Sequence, residues 1–165
     1  MPVRTLDPRA YGFPTRCFVC EPDNAQGLRI PYTYDDEARV VSAEFTLGPE
    51  YSGAPRYVHG GVVSSVLDEA MAWAAIASAG RFAVVREITT TFEHGVLVGR
   101  PHRVEASVET AGTIRIEASA RLVDAEGRRC ARARARLVVL STEAAKSAIG
   151  QVEGDAVRFL RGERS

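Results

Sequence analysis

An aspartate set inside an apolar stretch is the first residue of this chain that asks for a chemical explanation. Asp68 lies in the run from Gly60 to about Ser78, which has no proline, is rich in Ala, Val, Leu and Met, and reads as one long helix. At about 100° per residue, Val62, Val63, Val66, Leu67, Ala70 and Ala74 make a broad apolar arc, and Asp68 stands nearly opposite it. Its neighbours on that side, Gly61, Ser64, Ser65, Ala72 and Ala75, are all small, so a ligand or another backbone can approach. A carboxylate in such a groove is a candidate functional acid, since an ordinary solvated face would carry Lys, Glu or Arg. Glu69, about 100° further round, has no comparable groove and reads as a solvated acid.

A second chemical feature stands where the helix begins. His59-Gly60-Gly61 puts two glycines at the entry, where backbone amides point outward with positive dipole character. That arrangement suits an anion or an oxyanion, two helical turns before the acid. Cys17-x-x-Cys20 offers half of a zinc site. A second pair is missing, and Cys130, His59, His94 and His102 lack ligand spacing, so no metal is expected. A redox role is not expected either, because the motif falls in a loop.

The elements around the helix read as strands. Residues 1–27 hold four prolines and little periodicity, and form an extended arm or covering loop. Leu28–Tyr34 and Ala38–Leu47 read as strands, and 48–57 as a loop. After the helix come strands at Phe82–Phe92 (Val84, Ile88 and Phe92 on one side), Arg103–Glu109, Thr113–Val123 (Ile114 to Leu122 alternating inward) and Arg129–Leu140. Two strands, one long helix and four more strands joined by short turns give an antiparallel α+β layer. The domain spans 28–141, and 142–165 is a polar tail with short helical pieces. One helix on one sheet is a modest core for this length, so a second copy should complete it.

Composition bounds the rest. The chain has 165 residues, 45% hydrophobic and 25% charged, which fits one globular domain. Its 21 basic and 21 acidic residues cancel, and no aromatics interleave the arginines, so no nucleic acid is expected. Arg128, Arg132, Arg134 and Arg136 form a stripe opposite the alanines of the last strand. Phosphates could be received there, but pairing with Glu105, Glu109 and Glu117 on neighbouring strands is the better reading. Three cysteines argue against a disulfide framework, no signal segment opens the chain, and no apolar run approaches a membrane span. The expectation is a cytoplasmic protein with no membrane partner.

The segment from Ser52 to Trp73, S-G-A-P-R-Y-V-H-G-G-V-V-S-S-V-L-D-E-A-M-A-W, resembles the hotdog-fold acyl-CoA thioesterases of the PaaI-like superfamily. The shared marks are His-Gly-Gly at the helix start and an acid nine residues after the histidine. C-F-V-C-E-P-D-N-A-Q-G-L, Cys17 to Leu28, is similar to a segment of one branch of that family, with Glu21 and Ala25 in place of the usual Gly and Pro. The resemblance implies a hotdog fold, an antiparallel sheet wrapped around one central helix, paired into homodimers or dimers of dimers with the site at the interface. It implies Asp68 as catalytic carboxylate, the Gly60 amide as oxyanion donor and His59 shaping the loop. Gly61, Ser65, Trp73, Val85 and Thr89 would contact an acyl-CoA substrate, with Met71 and Phe92 near the acyl chain. No cofactor is implied, coenzyme A being part of the substrate. Many relatives carry Ser or Thr where this chain has Val85, Glu87 and Thr89 being hydrogen-bonding neighbours on that strand, and some carry an amide side chain where it has Gly53. Alternatives are a non-catalytic acyl-CoA or small-ligand binding module and a hotdog hydratase or dehydratase, whose acid–histidine spacing is absent.

Overall fold

The computed structural model describes residues 3–11 and 15–150. Seven strands form one antiparallel sheet: β1 (Val3–Thr5), β2 (Thr33–Asp35), β3 (Val40–Thr46), β4 (Ala83–Phe92), β5 (Pro101–Ala111), β6 (Arg115–Asp124) and β7 (Arg129–Val139). Their order is β1-β2-β3-β5-β6-β7-β4. Helix α1 (Gly60–Ala79) follows β3 and packs on β3 to β7, and α2 (Thr142–Ile149) follows β7. The remainder of the predicted tail lies outside the described residues.

Alternation explains the sheet. Val104 and Ala106 on β5, Ile116, Ala118, Ala120 and Leu122 on β6, and Ala133, Ala135 and Leu137 on β7 are buried, with polar residues between them. Alanines under the helix axis let α1 settle close to the strands. Val66, Leu67, Ala70, Met71 and Ala74 are fully buried against them. Burying each of the larger side chains is worth about 1.5–3 kcal/mol. Gly80, with φ of 64°, ends the helix in the left-handed conformation, its N–H donating to the Ile76 carbonyl.

Four details differ from the sequence expectations. The strand expected over Leu28–Tyr34 is confined to Thr33–Asp35, with residues 28–32 in irregular chain. The arm supplies a short strand, β1, whose pairing with β2 (Val3 opposite Asp35) no local periodicity announces. Ile114, expected inward, falls in the turn before β6 and is 68% exposed. On β4 the register shifts between Val85 and Glu87. The bulge turns Val84 outward and places Val85, opposite buried Leu137, on the helix side.

By length and composition α1 could span a bilayer, contrary to the expectation that no segment approaches this. It serves instead as the core helix. Tyr32 Oη donates to the Val66 carbonyl at 2.9 Å, and Trp73, 2% exposed, packs on Tyr11 with ring centroids 5.6 Å apart. The arm thus covers a flank of α1 that the sheet leaves open, with Leu6, Val19, Cys20, Leu28 and Ile30 buried in the same core.

Candidate functional site

The start of α1 is built by returning loops. The N–H of His59 donates to the Tyr51 carbonyl (2.8 Å), that of Gly53 to Tyr57 (3.0 Å) and that of Val58 to Val96 (2.8 Å). A side chain at Gly53 would meet the His59 ring and backbone at 3.3 Å, which explains glycine there. Gly95 has no room for a side chain because the Tyr57 ring lies against it.

His59 is the N-cap. Its Nδ1 accepts from the Gly61 N–H at 2.9 Å, and its carbonyl accepts from Val62 and Val63. Among the described residues the Gly60 N–H has no partner. This free amide borders a cavity of about 250 Å³ lined by Gly60, Val63, Tyr57, Phe92 and His94, among others. The Phe92 ring lies 3.4 Å from where a Gly60 side chain would begin. Phe92 and Tyr57 remain 54% and 44% exposed, two large apolar rings beside one cavity.

Two turns on, Asp68 is half-buried. Burial, and then the nearby Cys17, raises its carboxyl above the ordinary aspartate range. Glu69, read from the sequence as solvated, is the deeper of the two acids. Burial and then Cys17 push it up to about 8. The correction has a plain cause: the arm crosses this side of the helix, and a helical wheel cannot show it. Cys17 Sγ donates to Glu69 Oε1 at 3.4 Å.

Of the other expected contacts, Gly61 and Ser65 line the same helix, where Ser65 Oγ donates to the Gly61 carbonyl at 2.9 Å. Trp73 and Met71 are buried in the core. Val85 and Thr89 point to opposite faces. Thr89 lies opposite Arg134 and Glu87 opposite Arg136 on the exposed face, so neither hydroxyl nor carboxylate stands beside Val85. The bulge puts half-buried Thr90, opposite buried Ala133, on the helix side instead.

On the exposed face the arginine stripe is a lattice of ion pairs. Arg132 reaches Glu93 (3.0 Å), Arg128 reaches Asp124 (3.0 Å), Arg136 pairs with Glu87, and Arg121 and Arg103 hold Glu105 (2.7 and 2.9 Å). Pairing is as expected, although Glu93, Asp124 and Glu87 take the places expected of Glu109 and Glu117. A larger open concavity, about 720 Å³, lies on this face among these charges, away from Asp68.

The thioesterase superfamily matches residues 56–131, which run from the loop before α1 to the start of β7. None of the curated proteins matches the chain. Among solved structures, a thioesterase superfamily protein aligns with TM-score 0.65 and 23% identity, over 72% of this chain and 57% of its own length. The Escherichia coli PaaI protein of the phenylacetic acid degradation operon aligns at 0.59 and 19%, over 62% and 74%. A Streptococcus mutans protein bound to acetyl CoA aligns at 0.59 and 13%, over 61% and 81%. Residues 56–131 thus match the thioesterase superfamily, and the chain shares the hotdog fold of the PaaI-like thioesterase structures.

Proposed function

We propose that this protein hydrolyses an acyl-CoA thioester, with Asp68 as its carboxylate catalyst and the Gly60 amide as its oxyanion donor. The observation that carries the reading is a free amide and a half-buried acid on one helix. The thioester carbonyl accepts from the Gly60 N–H at the positive end of α1. Gly60 and Asp68 of one helix stand about 12 Å apart along its axis, eight residues at ~1.5 Å each. The Asp68 that acts at this carbonyl is therefore that of a second copy packed against it, where it takes a proton from the attacking water or attacks the carbonyl carbon itself. The oxyanion forms against the amide and collapses with loss of the coenzyme A thiolate, which takes up the proton Asp68 removed. Where Asp68 is itself the nucleophile, water then cleaves the mixed anhydride and frees the acid. One such donor is worth ~2.7–4 kcal/mol, and a placed base ~10²–10⁴-fold. Burial makes Asp68 a stronger base than a solvated aspartate, and His59 holds the loop that presents Gly60.

The acetyl CoA bound by the Streptococcus mutans relative supports a coenzyme A ester as substrate. The exposed rings of Phe92 and Tyr57 beside the cavity, and the unpaired edge of β4, support a homodimer that closes the site.

The test is Asp68→Asn with a panel of acyl-CoAs, following free-thiol release. Turnover should fall ~10²–10⁴-fold with the fold intact. Wild-type activity should rise with pH as Asp68 ionises through its raised pKa. A folded mutant with undiminished turnover removes the mechanism. Val85, with no hydroxyl on the helix side, favours one second reading, a module that binds acyl-CoA without cleaving it. Binding by the wild type without thiol release would establish that reading.

A further inference from the structure

The proposed hydrolysis leaves three ligand-bearing side chains unused, and they meet where the arm crosses α1. Cys17 Sγ, Cys20 Sγ and a Glu69 carboxylate oxygen all lie within 4.8 Å of one another. The backbone N–H groups of Val19 and Cys20 both donate to Cys17 Sγ, at 3.3 and 3.4 Å. A turn folded around one sulfur in this way stabilises a thiolate and brings the second cysteine back over the same point. We propose that Cys17, Cys20 and Glu69 form a binding site for a thiophilic divalent cation of the zinc class, two thiolates and a carboxylate filling three corners of a tetrahedron and water the fourth.

The distances suit that ion. With metal–sulfur bonds of about 2.3 Å and metal–oxygen bonds of about 2.0–2.2 Å, tetrahedral ligands stand roughly 3.6–3.8 Å apart. Cys17 Sγ and Glu69 Oε1 are already 3.4 Å apart. The charge balance points the same way. The acids whose carboxyls are held low, Asp7, Glu93, Glu105 and Asp124, each have an arginine beside them. The groups acting most on Glu69 are two cysteines and Asp68, and none is a cation. Cys20 and Glu69 are set in the protein, Cys20 at 7% exposure, so water screens the cluster poorly. A divalent ion supplies the missing positive charge. The C-x-x-C motif lacked a second pair in the sequence; the fold supplies a carboxylate from 49 residues further along.

Co²⁺ and Zn²⁺ are the probes, added to full-length protein that has been stripped with a chelator and kept reduced. We expect one Co²⁺ per chain, with thiolate-to-cobalt charge-transfer absorption and the strong visible bands of a tetrahedral ion, both abolished by one equivalent of Zn²⁺. Cys17→Ser and Cys20→Ser should each weaken binding by more than the ~10–100-fold that loss of an outer-shell partner costs. Glu69→Gln should keep the charge-transfer band and shift the visible ones. Binding without thiolate charge transfer, or a spectrum unchanged in Cys17→Ser, overturns the proposal. Should the serine variants fail to fold, alkylation of the wild-type chain decides. Saturating Zn²⁺ should protect both Cys17 and Cys20, and free alkylation, or a Cys17–Cys20 disulfide forming equally fast with Zn²⁺ present, overturns the site. These readouts are independent of thioester hydrolysis.

Discussion

The two faces of this sheet treat carboxylates in opposite ways. On the open face, Glu93, Glu105 and Asp124 lie beside arginines that hold their carboxyls below the ordinary range, although burial opposes this in each. On the helix side, Asp68 and Glu69 are raised by burial and have no arginine among the groups acting on them. Twenty of the 21 basic residues are arginines, so the shortage at α1 is one of placement, not supply. A zero net charge therefore conceals a sorted distribution. Charges that stabilise are paired in water, and charges that can react are kept from partners.

The largest effect should come from Asp68→Asn, which breaks the helix side alone. Beyond the loss of turnover, it should stabilise the fold. Asp68 has a folded pKa raised above its unfolded value, so its contribution to stability is full below the unfolded pKa and is lost as pH rises. The neutral asparagine escapes that loss. Thermal unfolding at pH 7 should give the variant the higher midpoint, with the gap closing toward pH 3. A lower midpoint at pH 7 would mean that the carboxylate has a stabilising partner, and would end the contrast between the faces.

Next in size is a test on a single strand. Ala133 lies 4% exposed under α1, between Arg132 and Arg134, which face water. Ala133→Leu should cost about 1–3 kcal/mol by overpacking, read as a fall in the denaturation midpoint. Arg134→Leu, which places the same leucine one residue away on the exposed face, should leave the midpoint nearly unchanged.

A smaller effect is expected at the entry to α1. His59→Ala removes the acceptor of the Gly61 N–H and should cost ~0.5–2 kcal/mol, with His59→Asn restoring most of it. Should His59→Ala lower thiol release by more than its loss of folded protein explains, the cap also positions Gly60.

The same contrast separates what the sequence made legible from what it did not. The bounds of α1 and the alternation along β5 to β7 follow from local periodicity, and the structure has them within a residue or two. Asp68, Gly60 and His59 stand out because their types break the pattern around them. Glu69 did not, since its burial comes from the arm, 49 to 52 residues away in sequence, and no window on the helix contains that contact. Thr90 escaped for a related reason. A single bulge between Val85 and Glu87 puts Val85 on the same side as Ile88, Thr90 and Phe92, so strict alternation misplaces Val84 and looks for a hydroxyl beside Val85 at Thr89 when it stands at Thr90.

The smallest effect belongs to Glu105→Gln on the open face. Glu105 is held by two arginines, Arg121 and Arg103, against a partial burial that would otherwise raise it. Its carboxyl titrates below the unfolded value, so the stability it contributes is present above the ordinary glutamate pKa, ~4.3, and is lost as pH falls through the folded value. Both arginines remain largely in water, at 63% and 45% side-chain exposure, so screening should limit the whole arrangement to less than about 1 kcal/mol. Glu105→Gln should therefore melt slightly below the wild type at pH 7, by a margin that shrinks in high salt and disappears at pH 3, with thiol release unchanged throughout. The pH dependence runs opposite to that of Asp68→Asn because the same acid chemistry sits on the other side of one sheet, beside cations and open to solvent. If both substitutions moved stability in the same direction with pH, burial and pairing would not be what divides the two faces.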